Sequence, residues 1–135
     1  MSSTPASTKS GAGRALVAVY GVFALAATAR SLVQLLTKAS EAPLAYSLSA
    51  LAGLVYIAAT LGLAEVGPSP RRLAWAAVGF ELVGVLTVGT LTVVDGTLFP
   101  DQTVWSDYGA GYGWLPLVLP FGGIAWLWRT RPREA

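Results

Sequence analysis

Four long apolar runs, separated by short polar clusters, divide the chain at about residues 15–36, 42–64, 73–94 and 114–128. At a helical rise of ~1.5 Å per residue, a run of about 20 residues crosses the roughly 30 Å hydrocarbon core of a bilayer. The pattern therefore predicts four membrane-spanning helices. The third run, 73–94, carries one carboxylate, Glu81, near its middle. A charge at that depth costs at least about 2.5 kcal/mol, so Glu81 should face a partner, a cavity or a neutralising proton rather than lipid.

Helical periodicity sorts each run into faces. On the first, Tyr20, Phe23, Ala27, Arg30, Gln34 and Thr37 fall on one stripe. On the second, Tyr46, Ser49, Gly53, Tyr56 and Thr60 do the same. Ala45, Ser49 and Gly53 add overlapping small-xxx-small steps, which let helices approach closely, so that face should point into the bundle. On the third, Glu81 shares its stripe with Val85, Val88, Thr92 and Asp95. The fourth run is short. Pro116 suits its first turn, whereas Pro120, ahead of Gly122-Gly123, predicts a bend or break.

The connections are brief except one. Between the first two runs, Ser40 or Glu41 is placed to cap the second helix and Pro43 to open it. Gly67, Pro68, Ser69 and Pro70 make the second turn, followed by Arg71 and Arg72. The third connection, from Asp95 to Gly113, is long and contains Trp105, Tyr108 and Tyr112 with three aspartates and no basic residue. It predicts an interfacial lid whose aromatics sink among headgroups. Residues 1–13 hold little to bury and read as a disordered tail, with a membrane domain over 14–130 and a basic tail at 131–135. The start of the first run, with Ala27-Thr28-Ala29, imitates a signal-peptide cleavage site. The apolar pattern continues for two more turns, which favours a retained span.

Lys and Arg set the orientation. They gather in the N-terminal tail (Lys9, Arg14), the second turn (Arg71, Arg72) and the C-terminal tail (Arg129, Arg131, Arg133), while the other two connections offer only Lys38. Both termini and the second turn are thus expected on the cytoplasmic side, with the long loop outside. Trp126 and Trp128 would mark the inner interface, and Trp105 and Trp114 the outer one.

Composition agrees and narrows the chemistry. The 135 residues are 54% hydrophobic and only 12% charged, half the charged share of a soluble domain. The net charge of +2 sits on membrane flanks, which argues against nucleic acid. Cysteine and histidine are absent. That removes disulfides, Cys or His metal sites, His-ligated haem and any Ser–His or Cys–His nucleophile pair. The spacing of Asp95, Asp101 and Asp107 is not that of an EF-hand loop, and Gly109-Ala110-Gly111 lacks the lysine of a phosphate loop. Neither a metal nor a cofactor is expected.

Arg30, Gln34, Tyr46, Tyr56 and Glu81 are the candidate ligand or proton site. One reading places them around a polar pocket open to the outer leaflet, with Arg30 leaning inward toward Glu81, directly or through Gln34 and Tyr56. In another, Arg30 snorkels to the outer headgroups or pairs with Glu41 or Asp95 and only orients the bundle. For Glu81 the alternatives are a protonated carboxyl bonded to Tyr56 or a backbone carbonyl, or a proton-coupled or cation-binding carboxylate.

The stretches SEAPLAYSLSA (40–50) and TVWSDYGAGYGWLPLVLP (103–120) resemble small four-span integral membrane proteins of actinobacteria, a likeness that covers nearly the whole chain after the tail. It implies a fold and a bacterial plasma membrane, and no activity. The small multidrug exporters are similar in having four short helices and one membrane carboxylate. Theirs is on the first helix and this one on the third, so no residue carries over. The expected protein is an all-α four-helix transmembrane bundle. It is a non-enzymatic binding or accessory protein with an outward-facing polar pocket, its partners being lipids and a membrane protein or further copies of itself. The alternative is a small oligomeric transporter or proton-coupled exporter using Glu81. A lipid-modifying enzyme is the weakest reading, for want of a nucleophile–base pair.

Overall fold

The structure is a computed structural model and describes residues 11–95, 103 and 105–131. Most of the expected tail, the loop around Phe99 to Gln102 and the end of the basic C-terminal tail lie outside the described residues. Among the described residues 85% are helical and none is in a strand. The elements are α1 (Gly11–Lys38), α2 (Pro43–Leu63), α3 (Pro70–Val94), a short turn segment (Ser106–Tyr112) and α4 (Leu115–Arg129). Three of them, α1, α2 and α3, are long and apolar enough to cross a membrane. The turn segment and α4 form a pair bent by 98° that together meets the same test.

Helix starts follow proline more than side-chain caps. Pro43 and Pro70 open α2 and α3, and Pro116 lies in the first turn of α4, where a missing N–H leaves no bond unmade. Neither Ser40 nor Glu41 caps α2; Ala42 holds that position without a side-chain bond. At the other end of α2 the chain stops in a Schellman arrangement. Val66 N–H reaches Leu61 C=O at 2.9 Å and Glu65 N–H reaches Gly62 C=O at 3.1 Å, with Glu65 in the left-handed region. α1 begins at Gly11, so the last residues of the expected tail are helical.

Pro120 does not break α4, which runs unbroken from Leu115 to Arg129. The sharp change of direction is upstream, at Gly113 and Trp114, both with left-handed backbone angles. Pro120 is tolerated because it follows the helix start by barely more than one turn, so its ring and missing donor disturb only first-turn carbonyls.

α2 packs against α1 and α3, and α3 against α4 and the turn segment; α1 touches α4 more lightly and lies diagonally across from α3. Small residues at the contacts allow this. Ala45, Ser49 and Gly53 are all buried, as their spacing predicts. The tightest approach is at Gly62: a Cβ built there would lie 2.6 Å from Ala74 N and 2.8 Å from Pro70 O. Large apolar side chains point outward instead. Leu25, Leu36, Val83, Val94, Phe121 and Trp128 are all well exposed, more than a soluble monomer ordinarily shows. A molecule that is small inside and oily outside is suited to a lipid surround, and the chain reads as a membrane protein.

Candidate functional site

Glu81 is fully buried within α3, flanked on its own face by Ala77, Val78 and Val85. Its Oε1 accepts a hydrogen bond from Tyr20 Oη at 2.7 Å, across the bundle diagonal from α1. Its Oε2 has no hydrogen-bond partner. The sequence offered Tyr56 or a backbone carbonyl as the partner of a protonated Glu81; the partner is Tyr20 instead. Tyr56, also fully buried, accepts from Trp105 Nε1–H at 3.2 Å, and its ring lies 6.2 Å from the ring of Tyr20. Tyr20 reaches Glu81 because Gly123 of α4 leaves room for it; the Tyr20 hydroxyl lies 3.1 Å from where a Cβ on Gly123 would be.

Above this group sits the indole of Trp105, only 1% exposed. It lies flat on α3 at Gly84, where an added Cβ would fall 2.7 Å from two indole carbons. Gly84 and Glu81 are three residues apart and so neighbours on one helical face. The sequence placed Trp105 at the outer interface among headgroups; instead it plugs the protein, while Trp114 is about half exposed at 49%. At the other end Trp126 is buried and Trp128 is exposed, its ring 4.1 Å from the Arg131 guanidinium.

The segment that carries Trp105 is held in a conformation it would not choose alone. Asp107, Tyr108 and Gly109 have φ of 51°, 59° and 82°, a left-handed turn. The two non-glycine members cost about 1–2 kcal/mol each. Contacts with three helices hold it. Asp107 N–H donates to Thr92 Oγ1 at 2.8 Å, and Tyr108 pairs with Thr90 at 2.8 Å while its ring covers Gly89. Within the segment, Ser106 Oγ accepts from Thr103 N–H at 2.8 Å, and Thr103 Oγ1 accepts from Trp105 N–H at 3.0 Å. On the α1 side, Arg30 donates to Tyr112 Oη and its guanidinium lies 5.9 Å from that ring. Among the described aromatics of the long connection, Trp105 is buried in the protein while Tyr108 and Tyr112 lie half-buried against α3 and α1.

The five sequence candidates thus separate. Glu81 and Tyr56 belong to one cluster. Arg30 is exposed and serves the lid. Arg30 and Glu81 share neither a hydrogen bond nor an ion pair; between them run the rings of Tyr20, Tyr56, Phe23 and Tyr112, with successive centroids 6.2, 5.8 and 6.0 Å apart. Gln34 is buried on α1, and Tyr46 is buried on α2 with Lys38 Nζ 5.7 Å from its ring. Sequence reasoning missed Tyr20 and Trp105 as members. Tyr20 was legible as a stripe residue of α1, in register with Phe23 and Ala27; nothing local marked Trp105.

Chemically, the cluster offers one carboxyl with a free oxygen, two phenols and an indole, in a place shut off from water. Among the described residues no three Asp, Glu, His or Cys side chains gather as a metal site. No protein family, curated protein or solved structure matches the chain.

Proposed function

We propose that this is a four-span protein of a bacterial plasma membrane, by resemblance an actinobacterial one, with both termini and the 65–72 turn in the cytoplasm. It acts as a non-enzymatic binding or accessory protein. Its site is the Glu81 carboxyl with Tyr20 and Tyr56, and the Ser106–Tyr112 lid governs access to that site from the outer face. One observation carries this reading: Glu81 is fully buried with Oε2 unpartnered, beneath an indole that is a plug rather than part of a helix. A buried polar atom without a partner is costly, and sites that bind something are where such atoms persist. The orientation is supported by the distribution of Lys and Arg.

The test uses the absence of native cysteine. Ser106→Cys, buried at the start of the lid, should react slowly but measurably with a membrane-impermeant maleimide added outside intact cells, and Gly111→Cys, on the exposed lid surface, should react fast. Complete protection of Ser106→Cys while Gly111→Cys reacts would mean the lid does not open. Reporter fusions at Ser69 and after Ala135 should read cytoplasmic, and one at Gln102 external; the reverse pattern overturns the orientation.

A second reading, a small oligomeric proton-coupled exporter, is favoured by a specific observation: Glu81 has no basic partner among the described residues. A lone carboxyl in mid-span is suited to taking and releasing a proton. Native mass spectrometry separates the two, since a four-span exporter needs a dimer or larger to enclose a path and a binding protein does not.

A further inference from the structure

We propose that the Glu81 site takes a flat aromatic monocation about the size of an indole, and that Trp105 is the chain's own stand-in for it. The inference rests on the reading above, that the lid opens onto a binding site, and adds the class of ligand. Three features of the site select the ligand. Its floor is Gly84, bare of a side chain, which accepts a planar ring face-on; the indole uses it so. Its walls are aromatic, Tyr20 and Tyr56 with Phe23 behind them, their ring centroids 5.8–6.2 Å apart. Aromatic faces attract a cation that has left water. Linked to it through the Tyr56–Tyr20 ring pair is the Glu81 carboxyl, one oxygen bonded to Tyr20 and the other unpartnered, with no Lys or Arg paired to it among the described residues.

Trp105 fills the flat aromatic part of this site and satisfies Tyr56 through its N–H, but it brings no positive charge. A neutral ring therefore leaves the carboxyl unanswered. A planar cation of the same size would occupy the floor and walls as the indole does and also give Glu81 a counter-charge. An anion finds no counter-charge here, and a neutral ring gains nothing over the indole it must displace. The lid is suited to yield, because its left-handed turn is held by contacts to neighbouring helices and not by its own preference.

The probe is N-methylquinolinium, with neutral quinoline as its uncharged match, added to the full chain in lipid bicelles at neutral pH. The readouts are equilibrium binding and the rate of maleimide reaction at Ser106→Cys. Binding of N-methylquinolinium, at least about tenfold tighter than quinoline, with faster reaction at Ser106→Cys as Trp105 is displaced, supports the proposal. Glu81→Gln, nearly isosteric, should abolish the preference for the cation while leaving the weak binding of quinoline. Trp105→Ala should tighten cation binding by about tenfold, since the competitor is gone. Gly84→Ala, which lifts the indole from its floor by a different route, should raise the maleimide rate as well, so folding trouble in one variant leaves the other to decide.

Equal binding of the two probes, or a cation preference that survives Glu81→Gln, overturns the ligand class. If Ser106→Cys reacts without any probe and no cation binds even to Trp105→Ala, the lid reading stands and this inference falls. If Ser106→Cys never reacts, the lid reading falls first.

Discussion

The two ends of the bundle are built on opposite principles. At the Arg71 end the helices meet backbone to backbone. Gly62 lies against Ala74 and Pro70 so closely that a methyl group would strike main-chain atoms, which cannot move aside. The Arg71 guanidinium closes that end by donating to Leu127 C=O at 2.5 Å and Thr130 Oγ1 at 3.1 Å, the first a carbonyl in the last turn of α4. At the Trp105 end the helices are spaced by inserted side chains. Gly84 and Gly89 face the rings of Trp105 and Tyr108, and a ring can swing away. One end is fixed by backbone; the other is filled by something removable.

The sharpest way to break this contrast is to add the same methyl group at both ends. Gly62→Ala should cost about 3 kcal/mol, because backbone must shift, and Gly84→Ala about 1 kcal/mol or less, because only the indole must. Unfolding in bicelles measures both. Equal losses would show that the lid end is as rigid as the other.

Next in size is the bond at the heart of the soft end. Tyr20→Phe leaves both oxygens of Glu81 without a donor and should cost about 1–3 kcal/mol. Combined with Glu81→Gln, it should show a coupling of about 1 kcal/mol. Arg30→Met with Glu81→Gln should instead add to within about 0.5 kcal/mol, since the two charges share no bond. Non-additivity there would restore the pair that the sequence suggested.

Arg71→Met removes two bonds to the C-terminal turn of α4 and should cost about 1 kcal/mol, with faster amide exchange confined to that turn. Smallest is Arg30→Met. An exposed contact contributes at most about 0.5 kcal/mol, so stability should barely change. The lid, losing its tie to α1 through Tyr112, should open more often, read as faster reaction at Ser106→Cys. A stability loss as large as that of Arg71→Met would place Arg30 among the structural charges.

What could be read from the residues follows their range of action. The helices were legible because their apolar runs, proline starts and basic flanks act locally, and the α2 stripe because its small residues recur at helical spacing. Glu81 was legible as a misfit in an apolar run. Its donor was not, since Tyr20 and Tyr56 are equally good phenols on equally good stripes; Gly123 clears the space through which Tyr20 reaches it. Trp105 was misread because an isolated tryptophan beside a span ordinarily sits among headgroups. Its burial depends on a left-handed turn containing Asp107 and Tyr108, residues that do not announce such a conformation. The break expected at Pro120 does not occur, because a proline just past a helix's first turn has few carbonyls to disturb.

The unequal lengths of the helices have a consequence for the surrounding lipid. With 28 residues, α1 is about 42 Å long, whereas α4 with 15 is about 22 Å, shorter than the roughly 30 Å of an average hydrocarbon core. On the proposed four-span topology the bilayer thins on the α4 side, drawing the outer headgroups down toward the bend at Gly113 and Trp114. On that topology the proposed lid rides at the edge of a dimple in the membrane. Shorter acyl chains relax that dimple and longer ones deepen it, so bilayer thickness becomes a mechanical input to how often Trp105 leaves its seat.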